Sequence, residues 1–164
     1  METTLARKRF CKDFNLPIIV FESPYFEYFI DLYNGIYNTH EKYRLFQEVY
    51  NDNEQEFFAQ SKNLIDNIRS SVTKNDGFVK LSSDTDIDKL ISPPKLSKSV
   101  YQQENEDKVF ISLDLKEANF QALKLYDSNM VSNCESWEDL VSKFTDKEYF
   151  KKAITSYTKL KLTD

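Results

Sequence analysis

Glycine is scarce in this chain of 164 residues, which contains only two, Gly35 and Gly77. Loops that cradle phosphate groups through backbone amides need several glycines close together, so a Walker loop and a Gly-x-Gly-x-x-Gly turn are both excluded. The same scarcity excludes collagen-like repeats and glycine-rich linkers.

Cysteine and histidine are also rare, with Cys11 and Cys134 far apart and His40 alone. No Cys-x-x-Cys or His-x-x-x-His spacing exists, so the zinc motifs built on such pairs are excluded. A disulfide scaffold would need more cysteines in a shorter chain. We therefore predict two buried thiols in a reducing compartment, which favours the cytoplasm.

Long hydrophobic runs are missing as well. The longest covers residues 16–21, whereas a helix that spans a membrane needs about 20 apolar residues. No apolar segment follows the basic N-terminal residues, so a secretory signal is not expected. These observations predict a protein without a membrane-bound part.

Positive charge is not in excess, because the chain has 22 Lys and Arg but 27 Asp and Glu, which gives a net charge of -5. Generic nucleic-acid binders usually carry a basic domain, so binding driven by the nucleic-acid backbone is not expected. One local basic cluster contains Arg7, Lys8, Arg9 and Lys12. It could touch a phosphate, but a solvated helix face is the favoured interpretation.

Aromatic residues are plentiful, with 13 Phe, 10 Tyr and 1 Trp, and they supply a core. Helical spacing dominates, so we predict a mostly α fold with a small β component, an α+β protein. Residues 1–74 form the predicted helical subdomain, residues 75–108 an irregular connection, and residues 109–164 a strand followed by three helices. The two subdomains can equally form one domain overall.

Several helix boundaries are predicted from capping residues. Ser23 and Pro24 are typical of a helix start, and Gly35 is predicted to end that helix in a left-handed conformation. Asn53 with Glu56 resembles a capping box for a long amphipathic helix. Further starts are predicted at Thr39, at Ser136 with Asp139, and at Thr145 with Glu148.

Short β-branched or aromatic runs predict the β component. Residues 18–21 and 109–113 are predicted strands, and residues 78–81 are compatible with a third. Gly77 is interpreted as a breaker within the irregular connection.

Tyr25, Tyr28 and Tyr33 belong to an aromatic segment that covers more than one face of the predicted helix. Tyrosine is enriched at protein interfaces, so outward-facing tyrosines here would form a protein-binding surface. The alternative is that these rings belong to the core, with a few scattered on the surface.

Asp114 is the candidate metal ligand, because it follows the predicted strand 109–113 and precedes a predicted helix. Ligands often bind just beyond the carboxyl ends of strands, and a carboxylate there can hold Mg²⁺. The favoured alternative is that Asp114 caps the following helix. No cofactor is expected unless the metal interpretation holds.

Residues 7–18 (RKRFCKDFNLPI) and 110–120 (FISLDLKEANF), followed by residues 142–146 (SKFTD), resemble the N-terminal part of an uncharacterised family of phage and large-virus proteins. The resemblance implies a phage or mobile-element origin and no assigned activity. That family continues with an Arg-Gln segment, where this chain reads YTKL at residues 157–160. A truncated or diverged member is therefore expected.

The segment around Asp114 is also faintly similar to the metal-binding strand of the family A DNA polymerase palm. Only the aspartate and the apolar spacing match, because Asn119 and Gln121 stand where that pattern has Glu and Arg. This similarity implies a remnant of a metal-dependent nucleotidyl-transfer protein.

Two functions follow from these observations. The first is a non-enzymatic protein-binding module from a phage, which binds a host protein in the cytoplasm. One concrete version inhibits a nuclease such as a CRISPR effector, whose basic channel attracts acidic surfaces. The alternative is a nucleotidyl-transfer remnant that uses Asp114 and Mg²⁺.

Overall fold

The computed structural model describes residues 3–83, 117–156, 159, 160 and 162. Every regular element among these residues is helical. The helices are α1 (Thr3–Asp13), α2 (Tyr25–Leu32), α3 (Asn34–Tyr37), α4 (Thr39–Tyr50), α5 (Glu54–Thr73), α6 (Asp76–Ser83), α7 (Ala118–Tyr126), α8 (Trp137–Ser142) and α9 (Glu148–Ala153). A 3₁₀ turn (Ser128–Val131) lies between α7 and α8.

The prediction of an α+β fold is wrong, since the described residues contain no strand. Residues 18–21 form an irregular connection, in which Ile18 is buried while Ile19 is exposed. Arg7 Nη1 donates a 2.9 Å hydrogen bond to the carbonyl of Phe21, which is thus satisfied by a side chain and not by a neighbouring strand. Residues 78–81 lie within α6, and the predicted strand 109–113 lies outside the described residues.

The capping prediction at Asn53 is confirmed. Its Oδ1 accepts a 3.1 Å hydrogen bond from the Glu56 amide, and its Nδ2 donates at 3.2 Å to Glu56 Oε2. The helix that starts there, α5, buries one continuous apolar face. That face consists of Phe57, Leu64, Ile65, Ile68 and Val72.

The prediction at Ser136 is also confirmed, because its Oγ accepts a 3.1 Å hydrogen bond from the Asp139 amide at the start of α8. The prediction that Thr145 and Glu148 form a capping pair is wrong. Thr145 Oγ1 accepts from the amide of Lys147 at 3.2 Å instead, and α9 begins at Glu148 with no side-chain cap.

The predicted roles of Ser23 and Gly35 are wrong as well. The N-terminus of α2 has no side-chain cap, because the Ser23 hydroxyl donates to Glu27 Oε1 at 2.8 Å. Gly35 lies within the helical turn α3 and has no positive φ. Several asparagines adopt left-handed conformations at the ends of helices instead, with φ of 52° at both Asn15 and Asn38 and 42° at Asn51.

The core is a cluster of aromatic rings between α1, α4, α5 and α9. The Phe46 ring lies 5.1 Å from Phe10, 5.4 Å from Phe57 and 5.9 Å from Tyr149, measured between centroids. Edge-to-face and offset contacts of this kind add to the free energy gained by burying the rings. Helix α9 therefore completes a core that residues 3–73 begin.

A second part of the core lies around α7 and α8. Phe120 meets Trp137 edge to face with centroids 5.0 Å apart, and both residues are buried. Asn75, just before α6, donates a 3.2 Å hydrogen bond to the carbonyl of Asn129 in the 3₁₀ turn. In the part of the chain that the structure describes, no helix is long and apolar enough to cross a membrane.

Candidate protein-binding surface

The outer side of α2 and α3 exposes a line of apolar and aromatic side chains. Tyr25, Tyr28, Leu32 and Ile36 follow one another at steps of three or four residues and are 54% to 78% exposed. Side chains at these steps share one face of a helix. We call these four residues the α2–α3 face.

Tyr33 does not belong to the α2–α3 face. It is half-buried, stacks on Phe29 with centroids 6.1 Å apart, and meets Tyr37 edge to face at 5.8 Å. Of the three tyrosines proposed from the sequence, the structure therefore brings Tyr25 and Tyr28 to the surface together and turns Tyr33 towards the core.

Leu32 and Ile36 were missed by sequence reasoning. The periodic signal was present, since both continue the spacing set by Tyr28. The periodicity was not followed past Gly35, because a helix end was predicted there and Ile36 was therefore not assigned to the same face. Gly35 instead lies within the helical turn α3, and Ile36 after it is exposed like Tyr28 and Leu32 of α2.

The inner side of α2 is held by Arg7 of α1. The Arg7 guanidinium lies 4.6 Å from the centroid of the buried Phe26 ring and forms a 2.6 Å ion pair with Glu27. Its Nη1 also donates to the Ser23 hydroxyl at 3.0 Å. A buried guanidinium with several partners fixes the helix that carries the exposed tyrosines.

The far end of α2 is held by α4. The buried Thr39 hydroxyl donates to the carbonyl of Ile30, and Asn34 Oδ1 accepts a 3.0 Å hydrogen bond from the His40 amide. At the surface, His40 Nε2 lies 2.7 Å from Asp31 Oδ1. The α2–α3 face is thus presented on a supported backbone, which lowers the conformational entropy lost on binding.

The segment that carries this face is acidic in sequence, although Glu27 is paired with Arg7 and Asp31 contacts His40. Residues 13–41 contain no Lys or Arg, while Glu22, Glu27 and Asp31 lie next to or on α2. Glu22 and Asp31 are exposed. A face of this kind, apolar along its centre and acidic beside it, complements a partner surface that is apolar with basic residues around it.

The candidate metal ligand Asp114 lies outside the described residues. Among the residues that are described, no group of three His, Cys, Asp or Glu side chains could hold a metal ion. The Mg²⁺-dependent alternative therefore stays a prediction.

Both cysteines are buried thiols in the described structure. Burial raises the pKa of Cys11 to about 12 and also raises that of Cys134. Thiols are nucleophilic as thiolates, so neither side chain is suited to nucleophilic catalysis.

No family model matches the sequence, and no curated protein or solved structure is significantly similar to it.

Proposed function

We propose that this protein is a non-enzymatic binding module whose α2–α3 face docks onto a basic-rimmed apolar site of a partner protein. The observation that carries the proposal is the exposure of Tyr25, Tyr28, Leu32 and Ile36 at steps of three or four residues along α2 and α3. Large amphipathic aromatic side chains of this type dominate the binding free energy of many protein interfaces.

The acidic surroundings favour a partner whose ordinary ligand is itself an anion. Proteins that bind nucleic acid carry basic channels, and acidic surfaces are attracted to such channels. The resemblance of residues 7–18 and 110–120 to phage and large-virus proteins supports an origin in a phage or mobile element. We accordingly propose a cytoplasmic host enzyme that acts on nucleic acid, such as a CRISPR nuclease, as the inhibited partner.

Site-specific photo-cross-linking in host cells tests this proposal. A photoreactive phenylalanine analogue at position 28 is expected to cross-link one host protein reproducibly. The same analogue at position 125 is the matched control, because Leu125 is an exposed apolar residue on α7. The cross-linked peptide of the partner should lie in an apolar site with Lys or Arg around it.

Binding measurements with the purified partner then test the face itself. The double variant Tyr28→Ala, Ile36→Ala should bind the partner about tenfold more weakly or worse, which is the loss expected when hot-spot residues of an interface are truncated. Leu125→Ala should leave the affinity unchanged. The proposal would be refuted if position 28 cross-linked only to a second copy of this chain. It would also be refuted if positions 28 and 125 captured the same proteins, or if the cross-linked site of the partner were acidic.

A further inference from the structure

A groove with an unusual charge lies on another part of the molecule, between α1, α5 and the segment around Lys159. Its volume is about 990 Å³, and its walls contain Arg9, Lys12, Lys62, Arg69 and Lys159. Among the residues that the structure describes, the carboxylates in these walls are Asp13 and Asp66. A protein with a net charge of -5 thus concentrates positive charge at one place.

The two carboxylates are already engaged. Asp13 is buried and accepts a 2.7 Å contact from Arg9 Nε, while Asp66 forms a 2.9 Å ion pair with Arg69. These pairs balance two of the five cations. Lys12, Lys62 and Lys159 form no ion pair with any carboxylate that the structure describes, although the charge of Asp13 also acts on Lys159.

Lys159 is held in position by the backbone. Its Nζ donates to the carbonyls of Asp13 at 2.5 Å and Ala153 at 2.6 Å. Two of its three N–H groups are used in this way, which leaves one for a ligand. Burial lowers the pKa of Lys159, although the neighbouring Asp13 acts in the opposite direction, so a bound anion would stabilise its charged form.

Arg9 and an apolar wall complete the groove. Arg9 Nη2 lies 3.4 Å from the hydroxyl of the buried Ser61, so the guanidinium is held from two sides. Phe58 and Ile65 of α5 line the groove beside these cations. The Phe58 ring packs edge to face on Phe57 at 5.4 Å, which fixes its orientation.

We propose that this groove binds a nucleoside polyphosphate, with the phosphates on Lys12, Lys62 and Lys159 and the base against Phe58. Three lysines outside these ion pairs offset most of the charge of a triphosphate, and an aromatic ring beside them offers a face on which a planar base can stack. With only two glycines in the chain, side chains must make the phosphate contacts that a glycine-rich loop makes elsewhere.

The four basic residues at positions 7, 8, 9 and 12 lie in different places in the folded protein. Arg7 holds α2 from behind, and Lys8 is exposed outside the groove walls, whereas Arg9 and Lys12 line the groove. No residue of the groove belongs to the α2–α3 face. Nucleotide binding and partner binding can therefore fail independently.

Calorimetric titration of the full chain with ATP, tripolyphosphate and adenosine tests the proposal. At low ionic strength ATP should bind, and its affinity should fall as salt is added, because charge contacts dominate. Lys12→Ala combined with Lys62→Ala should weaken ATP binding by about tenfold or more. Both side chains are exposed, so the thermal unfolding midpoint should remain close to that of the wild type.

Lys8→Ala, on α1, and Lys74→Ala, just after α5, are the controls, since both residues are exposed and lie outside the groove walls. These controls should bind ATP as the wild type does. The nucleoside part is tested by Phe58→Leu, which should weaken ATP binding and leave tripolyphosphate binding unchanged. The proposal would be overturned if ATP did not bind, or if the control variants lost as much ATP affinity as the Lys12→Ala and Lys62→Ala combination. It would also be overturned if ATP and tripolyphosphate bound equally well and Phe58→Leu had no effect.

Discussion

The Tyr149 hydroxyl donates a 2.8 Å hydrogen bond to Oδ2 of Asp13, which joins α9 to the end of α1. Both side chains are buried, and Arg9 Nε contacts the other carboxylate oxygen at 2.7 Å. Burial raises the pKa of Tyr149 well above its ordinary value, and Asp13 acts in the same direction, so the hydroxyl stays a proton donor. The buried carboxylate is fully satisfied only when α9 is in place.

Tyr149→Phe should lower the free energy of unfolding by about 1–3 kcal/mol, because it leaves one oxygen of a buried carboxylate without its partner. Urea denaturation followed by circular dichroism measures this change. Tyr28→Phe is the control, since it removes a hydroxyl from an exposed tyrosine and should have no measurable effect. Equal stability of the Tyr149→Phe variant and the wild type would mean that the bond contributes nothing.

Glu27 should make stability depend on pH. Burial raises its pKa, but hydrogen bonding from Ser23 and its own backbone amide, and the charge of Arg7, outweigh burial and lower the pKa below 4.5. A carboxyl with a lowered folded-state pKa stabilises the fold above its unfolded pKa, and this contribution is lost as pH falls through the folded value.

The measurement compares the wild type with Glu27→Gln in urea at a series of pH values. The wild type should be the more stable protein near neutrality, and the difference should shrink below about pH 4.5. Glu48→Gln removes a carboxylate from an exposed ion pair and is the control, with little effect expected at neutral pH. A difference between wild type and Glu27→Gln that does not vary with pH would contradict this assignment.

Asn53→Ala should destabilise the protein by about 1 kcal/mol, because the Glu56 amide at the start of α5 loses its acceptor. Asn53→Asp retains a side-chain acceptor and should restore most of the stability. Thermal and urea unfolding of both variants provide the comparison. If Asn53→Asp were as unstable as Asn53→Ala, the cap would not be the cause.

Gly35→Ala should increase the free energy of unfolding by about 0.5–1 kcal/mol, the usual gain for alanine over glycine in a helix. A Cβ at position 35 meets nothing within 4 Å, and the backbone there is not left-handed. Gly77→Ala is the contrasting variant, since its Cβ would lie 2.4 Å from Oδ2 of Asp127. A loss of stability in Gly35→Ala would restore the sequence-based interpretation of Gly35 as a left-handed helix end.

Both thiols should react slowly with a disulfide reagent in the native protein. A pKa raised from 9.0 to about 12 leaves Cys11 with about a thousandfold less thiolate. Reaction of both cysteines should become fast in denaturant. Rapid labelling of Cys11 under native conditions would show that α1 opens locally, or that the thiol is not buried.

Local signals predicted the elements that depend on neighbours in sequence. Asn53, Glu56 and the apolar spacing of α5 determine that helix within a single segment, and so do Ser136 and Asp139 for α8. The conformation of residues 18–21 depends instead on a contact with a residue from another element. Their β-branched composition favours a strand, but a strand needs a partner, and the guanidinium of Arg7 satisfies the backbone there instead.

The candidate sites were less predictable for the same reason. Tyr25 and Tyr28 could be proposed from their spacing, whereas Ile36 was hidden behind an incorrect helix end at Gly35. The basic groove could not be predicted at all. It exists because α1 packs on α5 and because Lys159, far away in sequence, is held against the end of α1.

The contact between Tyr149 and the rings of α1, α4 and α5 has a consequence during synthesis. Tyr149 leaves the ribosome about 100 residues after the end of α4 at Tyr50, which takes on the order of 5–20 s at ordinary translation rates. Throughout that interval Phe46 and Phe57 lack the cover that α9 gives them in the finished protein. We therefore expect the nascent N-terminal helices to expose aromatic surface until α9 is synthesised, which makes this interval the one most open to aggregation.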